Sequence, residues 1–152
     1  MHSRKTLLLF FLAAFFTLSC WAESKYKSKI TSLTGEKWWG GIVALGSQMP
    51  FKDDIRLFDL ASENLNNQNV PLLLSSEGRY IWSNKPFSFK LENGNLQIFS
   101  DYESLEPILA GNTLKDAYMA ASTKHFPPSG QLPDSLFFSM PQYNTWIELM
   151  YN

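Results

Sequence analysis

The sequence predicts a mainly β fold, an antiparallel β-sandwich followed by one helix. Three observations carry that expectation. Apolar and aromatic side chains come in short runs cut by Gly, Asn, Ser and Pro, as in PLLLSSEGRYIWSNKPFSF over 71–89. Period-2 alternation recurs along these runs, which buries one face of a strand and wets the other. The helical period appears once, after Gly111. With 152 residues, 45% of them hydrophobic, the chain suits one ordinary domain with a real core.

Residues 1–22 read as a targeting segment. Arg4 and Lys5 form its positive end, and Leu7 to Leu18 form an apolar run broken only by Thr17. The run is shorter than the ~20 residues of a spanning helix. Two exits are open. Small residues at Cys20 and Ala22 permit cleavage before Glu23, giving soluble export. Alternatively Leu18-Ser19-Cys20 is an imperfect lipoprotein signal, with Cys20 as a lipid anchor. Either exit places the protein in the periplasm or at the cell surface. Cys20 is the only cysteine, so the exported part holds no disulfide and no thiol ligand.

Along the chain, Tyr26, Ser28 and Ile30 alternate with lysines, a first strand. Thr34 to Lys37 is a turn. Trp38 to Leu45 is a strand, with Gly40-Gly41 marking a bulge or a close backbone approach. Gly46 to Asp54 is a loop. In the strand Ile55–Leu60, Ile55 and Leu57 face one way and Arg56, Phe58 and Leu60 the other. Glu63 to Asn69, with four asparagines in seven residues, is a surface loop. The runs at 72–74, 79–82 and 87–91 are consecutive antiparallel strands, and Asn93-Gly94 joins the last of them to Leu96–Ser100 as a hairpin. Thr113 caps a helix with Asp116 favouring its positive end, and Leu114, Ala117, Tyr118 and Ala121 form its apolar face. Lys124 and His125 place positive charge in its last turn, and Pro127-Pro128 stop it. Phe126 to Asp134 is a loop. Leu136–Phe138 and Tyr143–Leu149 are strand-like.

The chemistry-bearing residues are sparse. Net charge is −1 with both signs interspersed, which points away from nucleic acid. Asp53 and Asp54, and Asp101, Glu103 and Glu106, fall in loops and read as solvated. The two histidines, His2 and His125, make no metal-ligand pattern, and no serine has a paired base. No catalytic residue, metal or cofactor is therefore assigned. Trp38, Trp39 and Trp82 suit a sandwich core or strand surface; sugar stacking is the alternative.

Taken together, 71–89, the helix TLKDAYMAASTKHF with its PPSG exit (113–130) and LPDSLFFSMPQYNTWIELMYN (132–152) resemble glycoside hydrolase family 31 over most of residues 27–152. The resemblance implies a galactose-mutarotase-like N-terminal β-sandwich over 23–111, a helix and Pro-rich connection over 112–140, and the start of a truncated (β/α)₈ catalytic barrel over 141–152. It implies retaining hydrolysis of α-linked oligosaccharides or glycosides, by two carboxylates on later barrel strands beyond Asn152. The sandwich would pack on that barrel, and this chain alone would be inactive. If 144–149 is the first barrel strand, Glu148 and Trp146 near its C-terminal end are candidate substrate-binding residues. A non-catalytic exported β-sandwich that binds carbohydrate or a partner is the alternative.

Overall fold

The computed structural model describes residues 24–62 and 67–141, apart from the side chains of Asp54 and Ile55. The targeting segment with Cys20, most of the Glu63–Asn69 loop, the Tyr143–Leu149 strand, Trp146 and Glu148 lie outside the described residues.

Among the described residues eight strands precede the helix: β1 (Tyr26–Thr31), β2 (Trp38–Ile42), β3 (Asp54–Asp59), β4 (Asn69–Ser75), β5 (Arg79–Trp82), β6 (Ser88–Glu92), β7 (Asn95–Ser100) and β8 (Ile108–Leu109). They form two four-stranded antiparallel sheets, ordered β1-β7-β6-β3 and β2-β4-β5-β8. The inward residues of both sheets make one core. Ile30, Phe58, Phe89, Leu91, Leu96 and Ile98 come from the first sheet, and Trp38, Ile42, Leu73 and Ile81 from the second. At its centre Phe58 stacks on Phe89 at 5.1 Å, and Phe51 meets both rings at 5.2 and 5.3 Å. This is a sandwich built from alternation, as the periodicity predicts.

The Asn-Gly hairpin forms as expected. Asn93 and Gly94 have φ of 52° and 66°, the mirror-image turn whose twist matches its flanking strands, and Glu92 pairs with Asn95 across it. The three runs of 71–89 divide differently. β4 and β5 pair directly, but after Ser83 the chain crosses over, and β6 joins the opposite sheet. The short two-residue β8, which period-2 reasoning misses, extends the β5 edge.

Three expectations need correction. The strand from Trp38 ends at Ile42, not Leu45. The register with β4 shifts between Gly40 and Gly41, both at positive φ, and Val43–Gln48 coils into a 3₁₀ turn. At Gly40 an added Cβ would lie 2.2 Å from the Leu72 carbonyl oxygen, so the bulge brings two backbones into contact. Second, Leu136–Phe138 is not a strand. It belongs to a one-turn helix, α2 (Leu136–Ser139). Asp134 Oδ1 accepts from the Leu136 amide at 2.9 Å, and the Ser135 carbonyl accepts from the Ser139 amide at 3.1 Å. These local acceptors close a turn, and among the described residues no strand pairs with this backbone.

The third correction concerns α1 (Leu114–His125), which packs on the outer face of β4 and β5. Its capping box is complete: Thr113 Oγ1 accepts from the Asp116 amide at 3.2 Å, and Asp116 Oδ2 accepts from the Thr113 amide at 3.0 Å. The buried stripe, however, is Ala117 and Ala121 with part of Ala120, packed against Leu72, Leu74, Tyr80 and Trp82. Tyr118 points outward and is 55% exposed. Methyl groups let the helix lie close on a sheet face already crowded with large side chains, and a tyrosine there would hold it off.

Candidate functional site

β4 alternates Leu73 into the core with Leu72 and Leu74 onto the outer face. That outer face is only partly covered by α1. Two depressions meet at Leu74. One, about 300 Å³, runs along the β2 bulge and is lined by residues including Gly40, Gly41, Val43, Met49, Val70 and Leu72. The other, about 440 Å³, lies beside the helix between Trp39, Leu114, Lys115 and Tyr118. Together they form an apolar face along β2, β4 and the first turns of α1.

The tryptophans separate along this geometry. Trp38 is wholly buried in the core and offers no stacking surface. Trp39, next in sequence, faces outward because side chains alternate along a strand, and it walls the second depression. Trp82 lies under the end of α1, where His125 stacks on it at 4.5 Å and Phe126 meets it edge-on at 5.1 Å. His125, in the last turn of α1, thus packs its ring on Trp82. Desolvation, with Lys124 beside it, holds its pKa below the usual imidazole range, and its Nε2 is buried without a hydrogen-bond partner. A neutral ring in an aromatic stack fits those surroundings.

One polar cluster escapes sequence reasoning. Glu36 and Arg79 form a two-pronged ion pair, with Arg79 Nε donating to Glu36 Oε1 at 2.9 Å and Nη2 donating to Oε2. Ser75 Oγ also donates to Glu36, as does the Leu33 amide at 2.9 Å. Arg79 reaches the Thr31 carbonyl at 3.2 Å and lies over the Trp38 ring at 5.7 Å. The Glu36 side chain is fully buried. Burial alone would raise its pKa, but the Arg79 and Ser75 hydrogen bonds outweigh burial and hold it below the ordinary carboxylate value. The cluster ties the β1–β2 turn to β4 and β5.

Asp53, Asp59, Asp101 and Glu103 accept structural hydrogen bonds. Asp53 Oδ2 accepts from the Gly94 amide at 3.3 Å, Asp101 Oδ1 from the Lys25 amide at 3.4 Å, and Glu103 Oε1 from Ser83 Oγ at 2.8 Å. Asp59 serves Ser62, Ala61 and Ser88, and those bonds outweigh its burial and lower its pKa. Ser129 Oγ accepts from the Gln131 amide at 3.2 Å. Among the described residues no three His, Cys, Asp or Glu side chains gather in a way that could hold a metal ion.

From Ser129 to Pro141 the chain runs along the surface. Leu132 is 90% and Phe138 75% exposed, and Leu136, Phe137 and Met140 are exposed beside them. The candidate site is thus a pair of apolar surfaces: the depressions beside α1, and the segment that leads out of it. Compared with known proteins, the chain matches no family profile and no curated protein.

Proposed function

We propose that this chain is the N-terminal portion of an exported retaining α-glycosidase of the glycoside hydrolase family 31 type, and that its sandwich is a docking domain for the catalytic barrel. The observation that carries the reading is the apolar face beside α1, together with the exposed apolar side chains of 132–140. Isolated exposed leucines need no explanation, but contiguous apolar surface marks a contact. Its occupant is the barrel that the 132–152 motif would open.

In such an enzyme one carboxylate attacks the anomeric carbon and a second protonates the leaving oxygen, about 5–5.5 Å apart. Neither is assigned within this chain. The sandwich supplies support, and Trp146 and Glu148 are the candidate substrate-binding residues of the proposed barrel. The galactose-mutarotase-like assignment of the sandwich belongs to the same proposal, as do cleavage before Glu23 or lipidation at Cys20. The test is expression of the complete reading frame that contains this chain, with assay on aryl α-glycosides. Release of the α-anomer first, with no turnover by residues 23–152 alone, is expected. No turnover on any α-glycoside, or first release of the β-anomer, overturns the proposal.

A second reading rests on Trp39 and Tyr118, which flank the depression beside α1 as two aromatic walls. In a glycan-binding module, residues 23–152 alone would bind α-linked oligosaccharides, and Trp39→Ala would abolish it. A docking domain shows no such binding.

A further inference from the structure

β2 is an edge strand: among the described residues only β4 pairs with it. An open edge presents a row of unpaired N–H and C=O groups that invites another strand. Here the loop that follows the 3₁₀ turn closes it. The Phe51 amide donates to the Trp38 carbonyl at 2.9 Å, and the Gly40 amide donates to the Met49 sulfur at 3.4 Å. Lys37, just before the strand, turns the other way. Its amide donates to Ser76 Oγ at 3.0 Å, and its carbonyl accepts from the Ser76 amide at 2.9 Å. The 3₁₀ turn closes with the Met49 amide on the Gly46 carbonyl at 3.2 Å, which fixes where the Met49 side chain starts.

Of the two closures, the one through Met49 is the weaker as a hydrogen bond, because a thioether is a poor acceptor. Its hold comes from packing as well: Met49 is partly buried against the sandwich core. The same side chain walls two surface openings. One is the depression of about 300 Å³ along the β2 bulge, and the other is a cleft of about 630 Å³ whose rim includes Lys37, Gln48 and Lys52. Both openings put the side chain within reach of a small oxidant. The other described methionines, Met119 and Met140, are 52% and 60% exposed and belong to neither core cluster.

We propose that Met49 is an oxidation-sensitive latch on the β2 edge. Hydrogen peroxide transfers one oxygen atom to the thioether: the O–O bond breaks, an S–O bond forms, the sulfur gives up two electrons, and the peroxide is reduced to water. The sulfoxide is polar and chiral, and it no longer suits the core surface on which the thioether packs. The loop then leaves β2, the Trp38 carbonyl and the Gly40 amide meet water, and the edge opens to another strand. Reduction of the sulfoxide restores the latch. The proposal concerns this chain's own loop and does not rest on the glycosidase reading.

The experiment treats the purified chain with hydrogen peroxide, reads each methionine by peptide mass mapping, and reads each amide by hydrogen exchange in NMR spectra. Met119 and Met140 should oxidise first, being more exposed, without altering exchange in β2. As Met49 sulfoxide accumulates, exchange at the Gly40 and Phe51 amides should rise at least about tenfold, because the loop loses a hydrogen bond and apolar packing together. Leu96 and Ile98, deep in the core, should stay protected. M49L nearly conserves side-chain volume and cannot be oxidised. Its Phe51 amide should stay protected with or without peroxide. M49Q places a polar amide at the same point and should open the loop without any oxidant, whereas M119L/M140L should keep the peroxide response. A methionine sulfoxide reductase should reverse that response. Four results would each overturn the proposal. They are a Met49 thioether that survives in the folded chain while Met119 and Met140 are fully oxidised, Met49 sulfoxide with unchanged exchange at Gly40 and Phe51, an equal peroxide response in M49L, and equal loss of protection at Ile98, which would mean general unfolding.

Discussion

Glu36 and Arg79 are 43 residues apart, and no spacing rule connects them. Sequence reasoning places Glu36 in a turn and Arg79 at a strand start, both correctly, yet the pair exists only because the second sheet brings the two places together. Removing one partner strands a buried charge, so Arg79→Met should cost about 3 kcal/mol or more in urea denaturation. R79M/E36M should recover much of that loss, because a buried pair is often replaceable by apolar side chains. The pH dependence follows from the lowered Glu36 pKa. A depressed carboxylate contributes stability fully above its unfolded value, near 4.5, and loses it as pH falls through the folded value. Acid unfolding should therefore begin below about pH 4.5 and be blunted in E36Q/R79M. Gly78 is the other residue whose role the sequence hides. Its φ is +72°, and an added Cβ would meet the Gly111 carbonyl carbon at 2.2 Å. Gly78→Ala should destabilise by well over about 1 kcal/mol, whereas Gly94→Ala, with open space around it, should suffer only from its backbone strain.

Among the elements, those whose causes are local are the ones the sequence reveals. Asn93-Gly94 makes its turn, Thr113 and Asp116 make their capping box, and the lysine-flanked alternation of Tyr26–Ile30 makes β1. Where partners decide, local reading fails. The α1 face is set by the sheet beneath it, which admits Ala117 and Ala121 and turns Tyr118 outward. β8 exists because β5 offers an edge to two residues that have no strand signal of their own. The candidate site follows the same division: Trp39 and Trp82 could be singled out by type, but which of the tryptophans faces outward depends on strand phase. Thr113→Ala should lower stability by about 1 kcal/mol, read as an earlier melt of helical circular dichroism. The docked end of α1 should respond to pH in its own way. His125 has a lowered pKa, so folding favours its neutral form; its contribution is complete above the unfolded value near 6.5 and is lost as pH falls through the lower folded value. Trp82 fluorescence should change over that acid range, and His125→Phe should remove the change while keeping the stack.

At the scale of the whole molecule, the sandwich closes its own core, and Gln131–Pro141 stands exposed outside it. α2 buries none of its residues, and Leu132, Leu136, Phe138 and Met140 all stand exposed. Fully burying one such side chain is worth about 1.5–3 kcal/mol, so several together favour any contact that removes them from water. In solution at high concentration, the available contact is another copy of the chain. Among the described residues the sandwich core lies between Ile30 and Leu105 and the helix cluster ends at Ala121, so Gln131–Pro141 contributes to neither. Pro127, Pro128 and Gly130 separate the segment from α1 and permit a cut without disturbing the stack of His125 on Trp82. Ending the chain after Gly130 should therefore lower self-association, measured by light scattering or sedimentation, while leaving a strand-dominated circular dichroism spectrum and the melting midpoint almost unchanged. Aggregation of the trimmed chain beyond that of the full one would mean that 131–152 cover the sandwich; in that event the apolar depressions beside α1 are their seat, and the docking proposal fails with the prediction.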